Sequence, residues 1–164
     1  MFKGIHKYFG VAAVLACGFS AQAFAQETGC IVLKSVAEVE TEVVNAAGEK
    51  STKLAPAEKV VPGTMVIWTV TANNTCQQPS DQVAINNSVP AHMTFVPNSA
   101  MGPGADITYS LDGKTYATPE QLTVQENGAT RKARADEYKH IRWSFKNSLQ
   151  AGASAFASFR AVLN

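Results

Sequence analysis

The stretch Val61-Pro62-Gly63-Thr64-Met65-Val66-Ile67-Trp68-Thr69-Val70-Thr71-Ala72-Asn73-Asn74 leaves the chain little choice of local structure. Pro62-Gly63 punctuates it as a turn, and Val66, Trp68, Val70 and Ala72 then fall at every second position. That spacing sends one set of side chains to one face of an extended chain, the period of a half-buried strand. Asn73-Asn74-Thr75 ends it.

Similar alternation recurs along the chain. From Cys30, the residues Ile31, Leu33, Ala37, Val39 and Val43 share one side and Lys34, Glu38, Glu40 and Glu42 the other. This predicts a long first strand, broken near Ser35 or continuous, with a charged outer face. Lys53 to Val61, interrupted by Pro56, reads as a short or edge segment. Val83 and Ile85, Met93 to Val96, Ile107 and Tyr109, and Leu122 and Val124 mark further short strands. Asp112-Gly113 supplies a hairpin signal, and Gln125 to Glu137 reads as a polar binding loop or excursion. Ile141, Trp143 and Phe145 form one closing strand, and Ala155, Ala157, Phe159, Ala161 and Leu163 share a face of another. About seven to nine short strands with frequent turns, and no amphipathic helix after residue 25, predict an all-β antiparallel β-sandwich. Val66, Trp68, Val70, Phe95, Tyr109, Trp143 and Phe159 are the expected core, because aromatic burial within alternating strands dominates such interiors.

The N-terminus constrains destination. Lys3 and Lys7 precede the apolar run Phe9 to Ala16, and small residues end in Ala23-Phe24-Ala25. Residues 1–25 read as a secretory signal peptide, leaving 26–164 as a single domain. The apolar run is well short of the roughly 20 residues that span a bilayer, so no membrane span is expected. A second reading makes Val14-Leu15-Ala16-Cys17 a lipoprotein processing site with a lipid anchor on Cys17. Leu15 is not what such sites usually carry there, and cleavage after Ala25 ranks above it. That cleavage removes Lys3 and Lys7 from the 14 basic residues and none of the 13 acidic ones, turning net charge from +1 to −1. Such a balance gives no electrostatic reason to expect nucleic acid or an anionic membrane surface as partner. Cys30 and Cys76 remain, and an isolated pair in an oxidising compartment predicts a disulfide. Closing a loop of about 46 residues, it is worth about 4 kcal/mol on the chain-entropy account. A two-cysteine metal site lacks a second ligand pair.

Val61-Pro62-Gly63-Thr64 with its strand to Trp68 and Val70 and the following Asn74, then Val83 to Pro90 with Met93-Thr94-Phe95-Val96 and Asn98-Ser99, then Ile141-Arg142-Trp143, Leu149 and Gly152, make a spaced pattern. Over roughly residues 29 to 164 it resembles the conserved repeat domain called domain of unknown function 11. The resemblance implies an immunoglobulin-like sandwich of exported and cell-surface proteins. Asn87 stands where that family commonly has Asp, which puts in doubt any cation or turn role of that carboxylate.

The expected function is an exported, non-enzymatic structural or interaction protein of the cell envelope or surface, in the periplasm, on the cell or outside it. It would use a protein partner or self-association and no cofactor. His92 and His140 sit in no recognisable nucleophile or metal motif. One alternative is a fibre subunit whose long first strand completes a neighbour's sheet; the other outcome for that strand, retention in its own sandwich, is favoured by the Cys30 tether. Another is a calcium- or carbohydrate-binding module using Glu38, Glu40, Glu42, Asp112 and Tyr116. Those glutamates read first as a solvated face that discourages edge pairing.

Overall fold

The computed structural model describes residues 29–164, which form ten strands and one short 3-10 turn. The signal-peptide and Cys17 readings lie outside the described residues. In chain order the strands are β1 (Ile31–Val44), β2 (Lys50–Pro56), β3 (Met65–Asn74), β4 (Ala84–Ser88) and β5 (Met93–Phe95). There follow β6 (Ala105–Ser110), β7 (Thr123–Glu126), β8 (Ala129–Lys132), β9 (His140–Phe145) and β10 (Ser154–Leu163). The 3-10 turn, Ala135–Glu137, separates β8 from β9.

Five strands make one antiparallel sheet in the order β2-β1-β3-β10-β5, and three make a second in the order β4-β9-β6. The chain is therefore an antiparallel β-sandwich, with β7 and β8 forming a separate hairpin. The period-two pattern explains the layering. Val66, Val70 and Ala72 of β3 and Ala155, Ala157, Phe159 and Ala161 of β10 turn inward and are buried. Ile85, Tyr109, Ile141 and Trp143 of the second sheet are buried against them.

The small inward residues of β10 leave room for large rings. Phe159 stands 6.2 Å from Trp143 and 6.3 Å from Phe95 between ring centres. Phe95 in turn lies 5.6 Å from Tyr109, which stacks on Tyr138 at 4.6 Å. Separations of this size give aromatic pairs about 0.5–1.5 kcal/mol beyond the area they bury. Burial also raises the phenol pKa of both Tyr109 and Tyr138 above its usual value, keeping them neutral in the core.

Among the expected core residues, Val66, Val70, Phe95, Trp143 and Phe159 are buried, whereas Trp68 is half-buried. Trp68 faces inward and packs on the core, between Ala37 of β1 and Phe159 of β10. The cause lies in the unequal layers: three strands cannot cover five, and the β1 side of the larger sheet keeps less shelter.

Candidate interaction surface

The side of the sandwich carrying β1 is built by one register change. The first half of β1 pairs with β3, from Ile31 opposite Asn74 to Glu38 opposite Ile67. Its second half pairs with β2, from Glu38 opposite Pro56 to Val44 opposite Lys50. The two partners lie on opposite edges of β1 and overlap only at Glu38. Two consequences follow.

First, Val39 to Val44 and their β2 partners continue past the start of β3 as a two-stranded arm, about 20 Å long at the usual rise per strand residue. Asn45 closes its tip: its Oδ1 accepts the amides of Ala47 and Glu49, both at 2.9 Å. Gly48 takes a φ of +82° there, which glycine adopts without strain.

Second, Ile31 to Val36 have a partner strand on the β3 side alone among the described residues. The amide of Thr75 donates to the Cys30 carbonyl on the β3 side, and the amide of Ala57 donates to the Ala37 carbonyl on the β2 side. Backbone groups alternate in direction along an antiparallel strand. The N–H and C=O groups of Ile31, Leu33 and Ser35 therefore point into the open flank, a row of donors and acceptors with no strand partner there among the described residues. Their neighbourhood is apolar: Val32 is 49 % exposed, Leu33 52 % and Val36 39 %.

The disulfide holds this edge in place. Cys30 and Cys76 are bonded, with their Cα atoms 5.2 Å apart. The bridge fastens the start of β1 to the chain just beyond β3. The hydroxyl and amide of Thr75 both donate to the Cys30 carbonyl, at 3.0 and 2.8 Å.

The outward face of the larger sheet mixes apolar and charged groups. Leu54, Val36, Met65 and Phe156 are exposed on it. Among them run ion pairs between strands: Glu40 with Arg160 at 2.9 Å and Glu42 with Lys50 at 2.8 Å. Glu38, Glu40 and Glu42 do share this outer face, but two of them are held by basic partners on different strands rather than converging on one point. No match to a family model, a curated protein or a solved structure was found. The reading of this surface therefore rests on the residues themselves.

The other residues singled out from the sequence are scattered. Asp112 closes its own turn, accepting the amides of Lys114 at 2.8 Å and Thr115 at 3.0 Å and the hydroxyl of Ser110 at 2.9 Å. Those bonds lower its pKa from 3.8 to about 2, Thr115 and Lys114 contributing most. Tyr116 lies beneath the Arg142 guanidinium, 3.7 Å from ring centre to carbon. His92 is exposed with a φ of +62°, while the His140 Nδ1 sits 3.0 Å from the Ser88 hydroxyl on the second sheet. Among the described residues no group of three or more His, Cys, Asp or Glu gathers as a metal site. No described helix is long and apolar enough to cross a membrane.

The polar segment after Val124 holds a feature the sequence pattern did not reveal in advance. It forms the β7–β8 hairpin, turned by Asn127 and Gly128, both with positive φ. The Arg131 guanidinium donates to both Glu137 oxygens at 2.7 and 2.8 Å and to Glu126 at 2.5 Å. With the Arg134 amide adding to it, this ties the hairpin to the 3-10 turn and lowers the Glu137 pKa from 4.5 to about 2.

Proposed function

We propose that the chain is an exported structural or interaction protein that works through the edge and outer face of its sandwich rather than by catalysis. The observation that carries this reading is the open first half of β1, apolar and fixed in place by the Cys30–Cys76 bridge. An exposed, flat, hydrophobic strand edge is a template for another chain, and proteins that do not use such an edge blunt it with charge, proline or a bulge. Lys34 is the one charge along Ile31 to Val36. Support for export comes from the leader-like residues 1–25 and from a disulfide, which persists in oxidising compartments. The family resemblance points the same way.

The fibre reading keeps its place in an altered form. Eight register partners on β3 and a covalent bridge hold the first half of β1 in its own sandwich, which favours it as acceptor of a strand over donor of one.

Mass spectrometry of the protein isolated from its host, with and without reduction, tests the proposal. The expected species begins at Gln26 and gains the mass of two hydrogens on reduction. An uncleaved chain with Cys30 and Cys76 reduced would contradict export. Hydrolytic turnover abolished by substituting His92 or His140 would contradict the non-enzymatic part.

A further inference from the structure

Other strands border open space besides β1, and the edges of β2, β5, β4 and β6 each carry features that limit pairing. The outer edge of β2 presents Lys50, Lys53 and Pro56, the residue types that guard natural edges. Strand β5 spans three residues, and the flank beside it is extended by the Met101–Ser158 bridge. Strand β4 is short and polar in Asn86, Asn87 and Ser88. On β6, Tyr109 already exchanges both of its backbone bonds with Ala117. The edge of β1 stands apart: Val32 and Val36 project on one face and Leu33 on the other, all exposed.

We propose that this edge is a homodimer interface, in which β1 of one copy pairs antiparallel with β1 of a second. The inference rests on the proposed interaction role and names its partner. Self-complementarity carries the choice of occupant. The open slot ends where β2 finishes, with Pro56 opposite Glu38, so it accommodates a strand about as long as Ile31 to Val36. A second copy of β1 has that length and the same exposed apolar edge.

The register follows from three constraints. A two-fold axis perpendicular to the sheet keeps inward faces together only if odd residues oppose odd and even oppose even. Two alignments fit the slot: Leu33 opposite Leu33, or Lys34 opposite Lys34. The second sets like charges directly across from each other, which destabilises a strand pair. It also calls on the Ala37 carbonyl, already taken by the Ala57 amide. The Leu33-centred alignment uses the free groups of Ile31, Leu33 and Ser35 and opposes Lys34 to Val32. It covers the exposed Val32, Leu33 and Val36, and joins the two larger sheets into one continuous sheet across the dimer.

Analytical ultracentrifugation of the protein recovered by export from its expression host, with its disulfide intact, tests the pairing. The wild type is expected at twice the chain mass, dissociating on dilution. Leu33→Lys, which places two like charges at the centre of the interface, is expected to lose the dimer. Its circular dichroism and its Cys30–Cys76 bridge should be unchanged. Val44→Lys, out on the arm, should leave the dimer intact. Leu33→Cys is expected to give a covalent dimer on mild oxidation, since hydrogen-bonded antiparallel partners lie about 5.5 Å apart, within disulfide reach. A monomer at every concentration, or a dimer indifferent to Leu33→Lys, would overturn the proposal. A dimer that Leu33→Cys fails to link would overturn the Leu33-centred register. None of these failures bears on the export and mature terminus that mass spectrometry reads, so the two proposals can fail separately.

Discussion

Asn74 shows how much one buried side chain can organise. Its amide nitrogen donates to the carbonyls of Gln78 and Leu149, both at 2.8 Å, and its oxygen accepts the Cys76 amide at 3.1 Å. Three segments thus meet at the end of β3, next to the disulfide. Asn74→Ala strands two carbonyls and an amide and is expected to cost about 1–3 kcal/mol, the desolvation penalty of buried polar groups left unpaired. Chemical denaturation monitored by tryptophan fluorescence reads it directly. Asp112 and Glu137 belong to this scale too. Their carboxylates are favoured by hydrogen bonds in the folded chain, so the stabilising contribution is complete above their ordinary pKa values near 4. It is lost as pH falls toward about 2. Carboxyl-resolved NMR titration is expected to show both midpoints below the ordinary range. Glu137→Gln should remove the acid-induced loosening of the Arg131 cluster while leaving that of the Asp112 turn.

At the scale of elements, the bridge and the register of β1 decide what the larger sheet can do. Cys76→Ser, made together with Cys30→Ser to avoid a free thiol, is expected to lower stability by about 4 kcal/mol on the loop-entropy account. Calorimetric melting of the two forms measures it. The strand pattern was legible because period-two alternation is a local property. Val66, Val70 and Ala72 announced their burial in this way, as did Pro62-Gly63 its turn, where Gly63 has a φ of +86°. Trp68 shares their parity yet is half-buried, because cover depends on how many strands the opposite sheet contributes. The Asn127-Gly128 turn of β7 and β8 carried a strong hairpin signal, obscured by the polarity of its strands. Asp112-Gly113 carried a similar one, yet the following segment reaches β6 only through the Tyr109–Ala117 bridge. The full ladder of β6 is the one with the long-range partner β9, along its other edge. The open flank of β1 was not legible at all. Glu38, Glu40 and Glu42 read as a charged outer face that discourages edge pairing; they do stand on that face, but the edge beside Leu33 is apolar.

For the whole molecule, unequal layers are the organising fact. Five strands against three leave an overhanging arm and an uncapped edge on one side. The aromatic core holds the other strands together, and the bridge fastens the start of the uncapped strand to the chain just beyond β3. The described surface thus offers a preformed strand edge on its β1 side. Residue-resolved amide exchange on the oxidised protein, at high concentration and after dilution, tests that claim most directly. The account predicts that the amides of Ile31, Leu33 and Ser35 exchange slowly when concentrated and rapidly when dilute. Those of Val32 and Lys34, bonded to β3, should stay slow in both. Rapid exchange at Ile31, Leu33 and Ser35 at every concentration would contradict it.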